Sequence, residues 1–173
     1  MRLIELFESN QTVTAYHGGS RIDKFSFDHL GTGENNHLLG PGVYFATRKN
    51  IGKKYTKYSS DPHLTEVEID MSRVYDPIKG LPESMRGLGD QMAQSLGYDT
   101  MDDLPFKHTS LKYGWWPIGP IVETIGVKKA HELFRKFRLD GMYERLDTDS
   151  LEIAIYNMDV VKIIHSSPHD TTN

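Results

Sequence analysis

Three separated groups of residues have the types and spacing to do chemistry: His17-Gly18, the pair Tyr44 and Tyr55, and Glu152. Glu152 is the most informative. Its neighbours Leu151, Ile153, Ala154, Ile155 and Tyr156 read as a strand covered on at least one face, and a carboxylate there must be paired, hydrogen-bonded or functional. The chemistry that needs it is a developing oxocarbenium ion at an anomeric carbon. A carboxylate hydrogen-bonded to the ribose 2′-hydroxyl stabilises that charge and can orient or deprotonate a nucleophile. An edge-strand glutamate is the plain alternative. Tyr44 and Tyr55 taken singly are core or interface aromatics, but one falls on a predicted strand and the other on the helix after it. Two phenol rings flanking a cleft suit a planar aromatic such as nicotinamide, each offset stack contributing about 0.5–1.5 kcal/mol beyond area burial. His17 alone reads first as a strand-end histidine satisfied by the backbone. The functional alternative is an imidazole bonded to a sugar hydroxyl, with Gly18 letting the main chain approach a flat amide.

The elements that must position these residues follow from periodicity. Leu3, Ile4, Leu6 and Phe7 fit one face of a short N-terminal helix within residues 1–11. Thr12 to Tyr16 is β-prone and runs into His17-Gly18-Gly19, predicting a strand that ends in a tight turn. Residues 20–41 read as loop, Gly42 to Thr47 as a short strand, and Arg48 to Tyr58 as a helix. Leu64 to Met71 alternates, with Val67, Ile69 and Met71 on one face and Glu66, Glu68 and Asp70 on the other, which predicts a half-buried strand. Pro82 to Leu96 reads as helical, residues 98–120 as irregular and aromatic-rich, and Val127, Ala130, Leu133, Phe134 and Phe137 recur at helical spacing. A turn is expected at Asp140-Gly141, then strands over Leu151–Tyr156 and Val160–Ile164. Short strands interrupted by helices favour a mixed α+β domain, over residues 12–166, with 167–173 a disordered tail.

Composition narrows the classes. A chain of 173 residues, 38% apolar and 25% charged, has the makings of one folded domain. With no cysteine, disulfides, thiolate metal sites and a cysteine nucleophile are excluded. A net charge of -4 argues against tight non-specific nucleic-acid binding, and the 8 histidines show no metal-ligand spacing. No apolar run suits a membrane span or signal peptide, so a cytoplasmic protein with no membrane partner is expected.

Ala15-Tyr16-His17-Gly18-Gly19, Gly31-Thr32-Gly33-Glu34 and Gly40-Pro41-Gly42-Val43-Tyr44-Phe45-Ala46, in that order, together with Tyr55 and the Glu152 strand, resemble the ADP-ribosyltransferase superfamily. The resemblance is to its His-Tyr-Glu class, which includes diphtheria toxin and the poly(ADP-ribose) polymerases, and within it to phage and mobile-element members. It covers about Tyr16–Tyr58 and Leu139–Ile164 and leaves roughly 72–126 unmatched. It implies an α+β ADP-ribosyltransferase-like fold, a short-stranded split mixed sheet with flanking helices around an NAD cleft. His17 would hold a ribose hydroxyl of NAD, the Gly18 backbone its carboxamide, Tyr44 and Tyr55 its nicotinamide ring, and Glu152 the nicotinamide ribose and the nucleophile.

Two positions depart from relatives. Gly52 stands where the polymerases carry an amide-binding serine, and Ser150 stands where arginine-specific members carry a second Glu or Gln. The acidic stretch Glu144 to Ser150 is expected to be a flexible loop facing the target.

The resemblance thus implies a mono-ADP-ribosyltransferase, phage-encoded, that uses NAD as substrate and no metal, and modifies a macromolecular acceptor such as a host protein. Nucleic acid and small molecules stay open as acceptors, as does the oligomeric state. An NAD glycohydrolase is the same chemistry with water as acceptor, and a catalytically silent NAD- or partner-binding module is the rival from another class. Trp115, Trp116 and Tyr113 in the unmatched middle are candidates for acceptor recognition or for an aromatic core.

Overall fold

A computed structural model describes residues 12–22, 39–76, 82–104 and 119–169. The expected N-terminal helix, the Gly31-Thr32-Gly33-Glu34 motif and the Trp115-Trp116 segment lie outside these residues. The described chain is a mixed α+β structure built on one seven-stranded sheet, β1 (Thr12–Gly19), β2 (Val43–Ala46), β3 (His63–Asp70), β4 (Val74–Tyr75), β5 (Gly141–Asp147), β6 (Ser150–Ile155) and β7 (Val161–Pro168), in the order β4-β5-β6-β2-β1-β3-β7. Every neighbouring pair is antiparallel except β4 with β5. The helices are α1 (Lys49–Thr56), α2 (Arg86–Ser95), α3 (Gly119–Ile125) and α4 (Val127–Phe137).

The sheet is nearly two half-sheets. β1 pairs with β3 along its whole length, Thr12↔Asp70 through Gly19↔His63, whereas β1 meets β2 at the single pair Tyr16↔Ala46. Beyond that pair β1 continues through His17, Gly18 and Gly19, so the turn expected there is replaced by strand. None of these glycines has a positive φ; among the described glycines that property belongs to Gly40, Gly97 and Gly126.

Alternation gives the sheet one apolar side that runs through both halves and a second on the β5–β6 half. Ala15, Phe45, Val67, Ile69, Leu151, Ile153 and Ile155 form one core cluster. On the other side, Met142, Ala154 and Tyr156 meet Leu88 and Met92 of α2, Ile121 of α3, and Ala130, Leu133 and Phe134 of α4. Of the residues predicted to recur over 127–137, Ala130, Leu133 and Phe134 form the stripe of α4 that faces the sheet, Phe137 packs at its edge and Val127 is exposed. Phe134 stacks on Tyr156 at 4.5 Å and 24°. The Pro82–Leu96 prediction divides into a short 3-10 turn, Glu83–Met85, and α2.

Two expectations fail at the β5–β6 hairpin. The Asp140-Gly141 turn and the flexible loop Glu144–Ser150 are both absent: Gly141–Asp147 is a strand paired with β6, and Asp140 is buried at its start. Asp140 takes Arg73 Nε at 2.7 Å and Asn157 Nδ2 at 2.9 Å, and its own N–H donates to the Arg73 carbonyl. Through the Asn157 hydrogen bond, the Arg73 ion pair and its main-chain bonds, buried Asp140 ties the entry to β4, the start of β5 and the end of β6 together. β7 runs on to Pro168, into the segment read as a tail, and the His169 N–H donates to the Pro62 carbonyl.

Candidate functional site

Glu152 lies in β6 opposite Ala46 of β2 and opposite Glu144 of β5. It shares the side of the sheet that carries Ala154 and Tyr156, the side onto which α1 also packs. The packing of α1 is set by two glycines. A Cβ on Gly18 would lie 2.0 Å from the Gly52 carbonyl oxygen, and a Cβ on Gly52 would lie 2.8 Å from the Tyr16 Cβ. Helix and strand backbones are thus in direct contact, and Gly52, which departs from the polymerase pattern, has a packing reason to be glycine. The corner between β2 and α1 is pinned on β6 just before Glu152. Thr47 N–H donates to the Leu151 carbonyl at 3.1 Å and the Leu151 N–H donates to Thr47 Oγ1 at 2.9 Å. Arg48, next in the chain, reaches Asp147 at 3.2 Å and Asp149 at 3.4 Å on the hairpin turn.

This framework delivers Tyr55, from the last turn of α1, to Glu152. The Tyr55 hydroxyl donates to Glu152 Oε1 at 3.0 Å, across 97 residues of sequence. Tyr55 is 37% exposed, leaving much of its ring open to a ligand, and Tyr58 one turn on is 72% exposed. Burial, then the Glu152 charge and its hydrogen bond, push the Tyr55 hydroxyl up to about 12. It therefore stays a proton donor at neutral pH. Tyr44 is more enclosed, and burial followed by the Glu152 charge raises its hydroxyl well above the ordinary phenol range. That hydroxyl donates to the Gly40 carbonyl at 2.9 Å. Tyr44 thus belongs to the same electrostatic neighbourhood, with its hydroxyl turned to the loop before β2.

His17 has a different setting. Where the β1–β2 ladder stops, its Nδ1 donates to the Tyr44 carbonyl at 2.8 Å, and its ring packs against Phe45 at 5.7 Å. A carbonyl can only accept, so Nδ1 carries the hydrogen and Nε2 is the acceptor nitrogen. Burial lowers the imidazole below its ordinary value, partly offset by the Tyr44 hydrogen bond, and keeps it neutral. The side chain bridges the gap that opens between the half-sheets. Of the predicted site residues, Tyr55 and Glu152 are joined directly, Tyr44 is adjacent, and His17 is coupled to them through the Tyr44 main chain. Gly18 lies beneath α1.

The residue that sequence reading missed is Glu144. It is the cross-strand partner of Glu152, and burial followed by the Glu152 charge and hydrogen bond raises its carboxyl above the usual range. The available signal was Asp147-Thr148-Asp149-Ser150. Read as a hairpin turn, it pairs β5 with β6 from Asp147↔Ser150, and the bulge between Arg145 and Asp147 then brings Glu144, rather than Arg145, opposite Glu152; read as an acidic loop, it hides the pair.

A cavity of about 670 Å³ opens beside α4, with Arg73, His131, Arg135, Tyr156 and Asn157 among its walls. Tyr156, whose hydroxyl donates to the Leu39 carbonyl, is part of that wall, whereas Glu152 and Tyr55 are not. Among the described residues no group of three His, Asp or Glu side chains could hold a metal ion, and no helix is long and apolar enough to cross a membrane. Comparison of the chain with protein-family models, with curated proteins and with solved structures finds no match.

Proposed function

We propose that the chain is an NAD-dependent ADP-ribosyltransferase that cleaves the nicotinamide–ribose bond at Glu152. The observation that carries this reading is the hydrogen bond from Tyr55 to Glu152. It joins an exposed aromatic ring and a strand-borne carboxylate that sequence motifs nominated separately. An aromatic face beside an oriented anion suits a flat leaving group attached to a carbon that becomes positive. His17 adds a neutral imidazole with Nε2 as acceptor, the correct polarity for a sugar hydroxyl. The one-pair junction of β1 and β2 also agrees with a split sheet in an ADP-ribosyltransferase-like fold.

In the proposed step the C1′–N bond breaks and its electron pair leaves with nicotinamide. A lone pair on the acceptor nucleophile forms the new bond to C1′, and the acceptor proton passes to the Glu152 carboxylate. Tyr55 keeps that carboxylate aimed, and its ring offers a stacking face to the nicotinamide. The macromolecular acceptor, with a host protein as first candidate, is the other substrate.

The test is nicotinamide release from NAD by the wild-type chain and by Glu152→Ala, with and without host-cell lysate and labelled NAD. The expected result is release that falls roughly 10²–10³-fold in the variant, with label appearing on a macromolecule when lysate is added. Release without label transfer would make the protein a glycohydrolase. No release and no NAD binding would overturn the reading.

A further inference from the structure

Direct antiparallel register makes Glu144 and Glu152 partners across the β5–β6 hairpin, between Tyr143↔Ile153 and Arg145↔Leu151. Alternation sends both carboxyls to the side of Met142 and Ala154. Side chains so opposed have Cβ atoms about 4.5–5.5 Å apart, and two like charges there repel. The groups that face the pair are phenols: Tyr44 from β2 and Tyr55 from α1, with Tyr58 acting on Tyr55. The cations nearby are directed elsewhere. Arg48 binds Asp147 and Asp149 at the turn, and Arg145, next along β5 and so on the opposite face, acts on Tyr143 of the same strand. The geometry points to Glu144 and Glu152 as a carboxyl–carboxylate pair that holds a single proton, with Glu144 the positioning residue that fixes Glu152.

This inference rests on the proposed role of Glu152. Glu144 is the member whose environment favours the proton, so Glu152 carries the charge and receives donors from Tyr55 and from Glu144. The charge at the site is then one negative unit instead of two. As pH rises through the elevated titration of Glu144, the proton leaves, Glu152 loses a donor, and an anionic dinucleotide meets a second negative charge, so KM rises.

The deciding experiment is a ¹³C NMR titration of glutamate-labelled full chain without NAD. The two carboxyl resonances are expected to titrate as a coupled pair separated by more than about one pH unit. Glu152→Gln should return Glu144 toward the ordinary glutamate value of about 4.3, and Glu144→Gln should leave Glu152 with a one-step curve. Two independent curves near that value, or reciprocal substitutions that move neither curve, would overturn the pair. Enzymatically, Glu144→Gln can still donate and should keep kcat while losing the rise in KM that accompanies Glu144 deprotonation. Glu144→Leu cannot donate and should lower kcat about tenfold, the size of one hydrogen bond to a charged group. If wild-type protein releases no nicotinamide, the functional reading fails while the titration still decides the pair. Independent titrations alongside Glu152-dependent release would sink the pair alone.

Discussion

At the scale of single residues, the informative groups are those whose hydrogen bonds assign them a protonation state. Tyr55 is a donor to Glu152. Tyr55→Phe keeps the ring and removes the donor, so NAD affinity should change little while kcat for nicotinamide release falls about tenfold, corresponding to one hydrogen bond to a partly exposed charge. Tyr55→Ala should weaken NAD binding as well, because the stacking face is lost; steady-state kinetics on both variants separates the two roles. His17 is held neutral by burial, with a folded pKa below its unfolded value. A group depressed in this way contributes stability that is complete above about pH 6.5 and is lost as pH falls toward the folded value. Urea midpoints should therefore decline below that pH in the wild type, and the decline should be shallower in His17→Gln.

At the scale of elements, α1 and the β5–β6 hairpin decide whether the site exists. α1 is seated by glycine against glycine, so Gly52→Ala must push helix from strand. Overpacking of this kind costs roughly 1–3 kcal/mol, read as a lower urea midpoint, and nicotinamide release should fall with it because Tyr55 travels with the helix. The hairpin carries the opposite prediction. Glu144→Gln removes the like-charge pair that forms once Glu144 has lost its proton, and should stabilise the protein by roughly 0.2–1 kcal/mol at pH above the Glu144 titration. The sign follows from linkage: a carboxyl raised in the fold loses stability as pH rises through its folded value, so the gain should disappear in acid, where the native Glu144 is protonated. These elements were unequally legible. Val67, Ile69 and Met71 alternate strictly and β3 was predicted within a residue at each end. β5, with Gly141, Arg145 and Asp147 in it, has neither a clean alternation nor an apolar run, and became a strand only by pairing with β6.

At the scale of the molecule, the sheet is two well-paired halves joined at Tyr16↔Ala46, with His17 spanning the opening beyond. One half is fastened by Asp140. Asp140→Ala leaves Arg73 and Asn157 without that acceptor and should cost roughly 3 kcal/mol, the lower end for breaking a buried pair, since Arg73 stays partly exposed; denaturant unfolding measures it. The loss should be far larger than for Arg48→Ala, whose two ion pairs are exposed and contribute roughly 0–1 kcal/mol.

The sequence by itself determined the local matters: which segments alternate with period two, that 127–137 has one apolar stripe, and that Glu152 is out of place among Leu151, Ile153 and Ile155. Those follow from side-chain chemistry within a few positions, where covalent spacing fixes geometry. Only the tertiary structure decided that Tyr55 donates to Glu152, that Glu144 opposes it, that Gly18 is held beneath Gly52, and that His17 binds the Tyr44 carbonyl. Each of these depends on strand register or on how closely one backbone approaches another. A slip of one residue in the β5–β6 register would send Glu144 to the opposite face of the sheet, and no pattern inside either segment records which register is chosen.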